Sequence, residues 1–324
     1  MINNNINNEC ILTVKCICYN HEKYIEKCLD SILSQKTTYK YKIIIHDDVS
    51  TDNSRSIIDK YVNEYPDIVI PMYETENQYS KGKRIFNIMD DMIDTKYCCV
   101  CECDDYWQND NKIQKQLDFM ESHPEYSVCG HSFDVVDDNC KLLYRDRRYG
   151  MNDHEITIED VIMNKDLPQT ATLLYRQDIA VNEPEFFNQC LVGDYPLMLY
   201  LATHGKMYYF DDNMTCYRRH NEGSWVTMAQ KNKDYFKRHI DLLIDMLLEY
   251  KNYSSHKYDI VVNNRIDQLN FMNLKNTNDI IALKNNAYFK KLSISHRYKV
   301  LLELQHPIVF KKLQTYKRKI KNRK

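Results

Sequence analysis

Residues 97–107 read Tyr-Cys-Cys-Val-Cys-Glu-Cys-Asp-Asp-Tyr-Trp. A short apolar run stops at Glu102, Asp104 and Asp105, with Tyr106 and Trp107 directly behind. Carboxylates crowded at a strand end repel one another unless a cation sits between them. A hard divalent ion with oxygen ligands relieves that repulsion and can hold a phosphorylated ligand at the same time. A second acidic turn, Asp47-Asp48-Val49-Ser50-Thr51-Asp52-Asn53-Ser54, follows another apolar run. Taken alone, these two aspartates also suit turn formation and helix capping. Further on, Asp194 stands before Tyr195-Pro196, which suits the N-cap of a helix.

The elements that must position these groups follow from periodicity. Residues 11–17 alternate and read as a strand, broken by Asn20-His21. Tyr24, Ile25, Cys28, Leu29, Ile32 and Leu33 then fall on one stripe of a helix. Residues 41–45 read as a buried strand, followed by a helix carrying Ile57, Ile58, Tyr61 and Val62 that stops before Pro66. Strands are expected at 68–72 and 97–101, with helices at 82–93 and 111–121. Strands alternating with helices imply βαβ units and a mostly parallel sheet flanked by helices. Ligands of such sheets bind beyond the carboxyl ends of the strands. The acids at 47–48 and 102–105 both follow strands, so they are expected along one rim. Beyond Pro124 the spacing predicts paired strands at 126–136 and 142–145. A short helix at 158–163, capped by Thr157, and a strand at 170–175 follow. A helix over 194–203 comes next, then strands at 207–210 and 214–218, and only helices from about Gln230 onward.

The chain has 324 residues and 43% hydrophobic residues, enough for a large domain with an extension. Its formal net charge of -2 does not suit a chain that coats nucleic acid. The 12 cysteines read as small buried hydrophobes in a reducing compartment, because no pair of C-x2-C motifs occurs at zinc-finger spacing. Residues 1–9 have neither the basic start nor the apolar core of a signal peptide, and no stretch approaches the ~20 apolar residues of a membrane span. The expected location is cytoplasmic.

Cys18-Tyr19-Asn20, the 47–54 turn and Glu102-Cys103-Asp104-Asp105-Tyr106-Trp107, in this order, resemble the nucleotide-sugar domain of family-two glycosyltransferases. These are inverting enzymes with a Rossmann-like GT-A fold, and the resemblance covers roughly residues 10–225. It implies a GT-A domain over 1–228, with 10–125 binding the nucleotide-sugar and 126–228 on the acceptor side, and a helical C-terminal extension over 229–324. It implies that Tyr19 stacks on the donor's base, with Asn20 beside it, and that Asp47 or Asp48 accepts a hydrogen bond from the base. Glu102 and Asp104 match the segment that contacts the ribose or sugar. Asp105, with Asp104, matches the ligands of Mn2+ or Mg2+, which offsets the charge building on a nucleoside diphosphate. Glu102 stands where aspartate is more usual. Asp194 matches the family's second acidic motif and would deprotonate the acceptor hydroxyl. Arg218 and Arg84 are expected near phosphate, although Tyr79 stands where many relatives have glycine. His220 is expected as a metal ligand or phosphate donor.

The implied activity is metal-dependent transfer of a sugar, from a UDP-sugar foremost, to a hydroxyl of a glycan or lipid-linked acceptor. The usual setting is surface polysaccharide, lipopolysaccharide or capsule assembly. A nucleotidyltransferase on a similar sheet would favour a glycine-rich loop after the first strand, and Cys18-Tyr19-Asn20-His21-Glu22 has no glycine. A non-catalytic nucleotide-sugar-binding protein predicts loss of the metal acid or the base, and both positions are acidic here. Residues 310–324 hold eight basic residues and no acid, with Phe310, Leu313, Tyr316 and Ile320 between them. That composition suits a peripheral contact with an anionic membrane face, and equally a solvated tail.

Overall fold

The computed structural model describes residues 9–146, 150–184, 186, 187, 190–219 and 232–321. Two compact units emerge: residues 1–184 with 192–221, and residues 185–191 with 222–324.

The first unit is built on a ten-stranded mixed sheet. Its first half comprises β1 (Cys10–Cys18), β2 (Lys40–Asp47), β3 (Val69–Tyr73) and β4 (Tyr97–Val100), ordered β3-β2-β1-β4 and all parallel. Helix α1 (Ile25–Leu33) joins β1 to β2, and α2 (Ser54–Glu64) joins β2 to β3. One face of β1 presents Leu12, Val14, Cys16 and Cys18 to Cys28, Leu29 and Ile32 of α1 and to Ile113, Leu117 and Met120 of α4 (Lys112–Ser122), all within one core. The buried residues of α1 recur at i, i+3, i+4 and i+7, the period that keeps one stripe against a sheet. Nine of the 12 cysteines are buried.

Between β3 and β4 the expected helix over 82–93 shortens to α3 (Ile85–Ile88), flanked by single 3-10 turns at Tyr79–Lys81 and Asp90–Met92. Lys15 supplies a physical reason. Its side chain points to the face of β1 opposite the cysteines and is almost wholly buried. Its ammonium takes the Asp90 carboxylate at 2.5 Å and the Phe86 carbonyl at 3.4 Å, so that carbonyl serves a buried cation.

The second half of the sheet holds β5 (Tyr106–Trp107), β6 (Tyr126–Val136), β7 (Leu142–Arg145), β8 (His154–Ile156), β9 (Leu174–Arg176) and β10 (Lys206–Arg218). Strand β9 pairs antiparallel with both β4 and β6, stitching the two halves together. The expected strand at 170–175 is instead a 3-10 turn, Thr170–Thr172, leading into β9. Helix α5 (Ile158–Ile162) starts at Thr157, whose hydroxyl accepts the Asp160 N–H. Helix α6 (Gln177–Ala180) follows β9, and α7 (Asp194–His204) leads into β10. The two strands expected at 207–210 and 214–218 are one strand, β10, parallel to β6. Its register slips between Phe210 and Asn213 and again before Thr215, and the strand then runs on to pair Arg218 with Val136.

The second unit is helical in its described residues: α8 (Lys233–Tyr253), α9 (Asp259–Thr277), α10 (Ile280–Asn285), α11 (Ala287–Lys291), α12 (Ile294–Gln305) and α13 (Pro307–Lys321). Asn273 of α9 donates to Asp241 of α8 at 2.8 Å. Phe271, Leu283 and Phe289 form a core with partly buried Val300, Leu301 and Leu304 packed against it. Left-handed Asn278 ends α9.

Candidate active site

The sheet topology brings the acidic segments to one rim. Strands β1, β2 and β4 are parallel with β1 in the middle, so their carboxyl ends share an edge. Asp47 lies opposite Cys18. On the other side the ladder continues past β4, because Cys101 and Cys103 donate to the Lys15 and Ile17 carbonyls at 3.0 Å. Asp47 and Cys103 thus flank the end of β1, about 10 Å apart across two strand spacings.

The rim beyond β1 and β2 is held by its own polar groups. The Asp48 carboxylate accepts the Gln78 N–H at 2.7 Å and the Tyr79 N–H at 3.0 Å, and Asn77 donates to the Asp48 carbonyl. Asp48 therefore fixes the loop after β3. Asp47 accepts the Ser50 N–H through Oδ1, while its Oδ2 is buried with no hydrogen-bond partner among the described residues. Asn20 receives the Thr51 N–H at 2.7 Å, tying the loop after β1 to the loop after β2. Val49 between these contacts has φ 65°, a left-handed conformation that costs a β-branched residue about 1–3 kcal/mol. Tyr19 beside them is 47% exposed, so its ring is accessible from solvent at this rim.

Across β1, carboxylate oxygens of Glu102, Asp104 and Asp105 lie within 4.8 Å of one another. Asp105 is buried; its Oδ1 accepts the Arg218 N–H at 2.7 Å and its Oδ2 has no partner among the described residues. Burial pushes the Asp105 carboxyl well above its ordinary range, and the charges of Asp104 and Glu102 push it further. Burial, then the charges of Asp104 and Asp194, raise Glu102 to about 8. The donor set suits a hard divalent cation: three carboxylates converge, and one oxygen is buried without a partner among the described residues.

Asp194 is the first residue of α7, with Gly193 in the N-cap position that the sequence suggested for Asp194. Its Oδ1 accepts the N–H of Tyr195 at 2.7 Å, and burial raises its pKa. Its charge is felt at Glu102, which places Asp194 in the electrostatic environment of the cluster.

Arg218 takes a different position from the phosphate contact expected of it. It is buried, donating to the carbonyls of Asp104 at 2.8 Å, Asp137 at 2.9 Å and Asp138 at 3.0 Å, with its guanidinium 4.5 Å from the Tyr24 ring centroid. It locks the acidic loop to the turn between β6 and β7. Arg84 precedes α3, and its charge acts on partly buried Glu183. His220 lies outside the described residues. Tyr217 escaped the sequence reading: Asp105, Glu102 and Asp104 add to burial in raising its pKa, so its phenol lies within their field. The two-residue alternation of β10, which turns Tyr217 away from Arg218, was the available signal.

A family model described as "Glycosyl transferase family 2" matches residues 13–179. An uncharacterized protein of Mycobacterium tuberculosis is 27% identical over 241 residues, covering 70% of this chain and 64% of the relative's own length. The chain thus spans less than two thirds of that relative. Staphylococcus aureus TarS residues 1–349 in complex with UDP superimposes with TM-score 0.56 at 17% identity, covering 91% of this chain and 78% of that one. A mannosyltransferase of Pyrobaculum calidifontis in complex with GDP-Man and Mn2+ gives TM-score 0.60 at 14% identity, covering 96% and 84%. At these identities the likeness establishes a shared GT-A fold.

Proposed function

The chain belongs to glycosyl transferase family 2, and from that premise we propose that it is a metal-dependent inverting glycosyltransferase. It moves a sugar from a nucleotide-sugar, a UDP-sugar foremost, to a hydroxyl of a glycan or lipid-linked acceptor in surface-polysaccharide assembly. The observation that carries this reading is the convergence of Glu102, Asp104 and Asp105 at the carboxyl edge of the sheet, with Asp194 within their electrostatic reach.

The residues divide the work as follows. Tyr19 offers a ring face to the donor's base, and the Oδ2 of Asp47, without a partner among the described residues, offers it an acceptor. Asp48 and Asn20 shape that pocket through the backbone. Glu102 faces the sugar side. Asp105 and Asp104 would hold Mn2+ or Mg2+, which when bound supplies positive charge to the diphosphate leaving group. Arg218 positions both acids by gripping the loop that carries them. Asp194, its pKa raised by burial, is a better proton acceptor than an exposed aspartate. It takes the acceptor's hydroxyl proton as that oxygen attacks the anomeric carbon from the face opposite the diphosphate. The work site is cytoplasmic, with peripheral contact to a membrane carrying the acceptor.

The test is a thermal-shift screen of UDP-, dTDP- and GDP-sugars with Mn2+ and with chelator. Stabilisation by one nucleotide class, dependent on Mn2+ and lost in Asp105→Ala, is the expected result. Stabilisation that is equal in chelator, or retained by Asp105→Ala, overturns the metal assignment.

A further inference from the structure

Helix α13 closes the described chain with a face that the fold leaves uncovered. Phe310 is partly buried, and α13 packs on α12. Val309 and Leu313, one helical turn apart, are instead 49% and 45% exposed, and Ile308 is 73% exposed. Lys311 and Lys312 between them are exposed as well. In the sequence, Tyr316 and Ile320 continue the i, i+4, i+7, i+11 spacing that starts at Val309, and Lys317, Arg318, Lys319 and Lys321 alternate with them. Fifteen residues span about 22 Å, and the helix is strongly basic, so it suits lying along a bilayer better than crossing one. Among the described residues no helix is long and apolar enough to cross a membrane.

The charge selects the occupant. From Ala287 to Lys321 the sequence carries ten basic residues and one acid, Glu303, which already pairs with Lys275 at 3.0 Å. A second copy would bring the same positive face against this one and be repelled. A nucleic acid would answer the charge but leave Val309, Leu313 and Ile308 in water. An anionic bilayer surface answers both: its headgroups meet the lysines and its acyl boundary takes the aliphatic side chains. We infer that α13 is an in-plane membrane-docking helix that seats its Val309–Leu313 stripe in an anionic lipid surface. This inference deepens the lipid-linked-acceptor part of the proposed function and stands independently of the donor site.

The test is sedimentation of the full chain with vesicles of pure phosphatidylcholine and of equal parts phosphatidylcholine and phosphatidylglycerol. The chain is expected to pellet with the anionic vesicles alone and to be released by salt. Each basic residue near such a surface strengthens partition by about fivefold, so Lys311→Glu/Lys312→Glu is expected to weaken it by at least roughly 25-fold. Val309→Asp/Leu313→Asp is expected to abolish pelleting, because it removes the apolar contact and adds two negative charges at the anionic surface. Both pairs are solvent-exposed, and the Mn2+-dependent thermal shift with donor reports whether the variants remain folded and competent at the donor site. Equal pelleting with both vesicle types, no pelleting, or pelleting unchanged by Val309→Asp/Leu313→Asp overturns the inference. A concentration-dependent dimer by light scattering that the aspartate pair dissolves also overturns it, in favour of a second copy. Failure of the donor screen with vesicle binding intact would overturn the proposed function and leave this inference standing.

Discussion

Glu102 gives the acidic cluster a signature that can be measured without substrate. Its carboxyl is raised to about 8 by burial, then by Asp104 and Asp194. The fold therefore favours the protonated form. That favourable contribution is fully present below the ordinary carboxyl pKa near 4.3–4.5, and it is lost as pH rises through about 8. At pH 7 the linkage integral amounts to about 3 kcal/mol of lost stability. This is a ceiling, because three neighbouring carboxylates share the protons. About 2.5 kcal/mol of that falls between pH 5 and pH 7; in a domain of this size 1 kcal/mol moves Tm by about 2–4 °C, so metal-free protein is expected to lose up to roughly 5–10 °C over that interval through this group. Glu102→Gln keeps the shape and removes the charge, so most of that fall should disappear. Mn2+ should flatten the wild-type profile too, since a bound cation stabilises the ionised acids. The assay is thermal unfolding across pH 5–8 in chelator and in Mn2+, for both proteins. A wild-type profile that is flat in chelator, or a Glu102→Gln profile falling as steeply as wild type, would refute the electrostatic account of the cluster.

Two further outcomes concern catalysis and the clamp. Asp194→Asn is expected to keep donor binding and lose about 10²–10⁴-fold in transfer, the usual contribution of a general base; transfer at the wild-type rate would place the base elsewhere. Arg218→Met leaves the carbonyls of Asp104, Asp137 and Asp138 without their donor in a partly buried site, at a cost of about 1–3 kcal/mol. Donor affinity should fall with stability in that variant, and Arg218→Lys should restore only part of either, because an ammonium cannot reproduce the planar fork. A stable Arg218→Met protein with weakened diphosphate binding alone would return Arg218 to direct phosphate contact.

The parallel half of the fold was legible because hydrophobic period and breakers are local. The strands around 11–17 and 41–45, the α1 stripe, and Thr157 as the cap of α5 need no knowledge of distant residues. The rim was legible as well, since acids directly after parallel strands must share an edge. What failed was set by partners far along the chain. Residues 82–93 carry a helical pattern, but a buried Lys15 some 70 residues earlier takes the Phe86 carbonyl and the Asp90 carboxylate. The register slips that make 206–218 one strand show only when β6 lies beside it.

The residue types and their order determined by themselves that carboxylates crowd one edge of a βαβ sheet, because strand direction and side-chain period are written locally. Tertiary structure alone decided which of those groups are committed and which remain available. Asp48 and Arg218, both expected as ligand contacts, are held by backbone N–H and carbonyl groups, whereas Asp47 and Asp105 each keep a buried oxygen without a partner among the described residues. A polar group's role depends on what the fold places within hydrogen-bond distance of it, and that is a property of the folded chain.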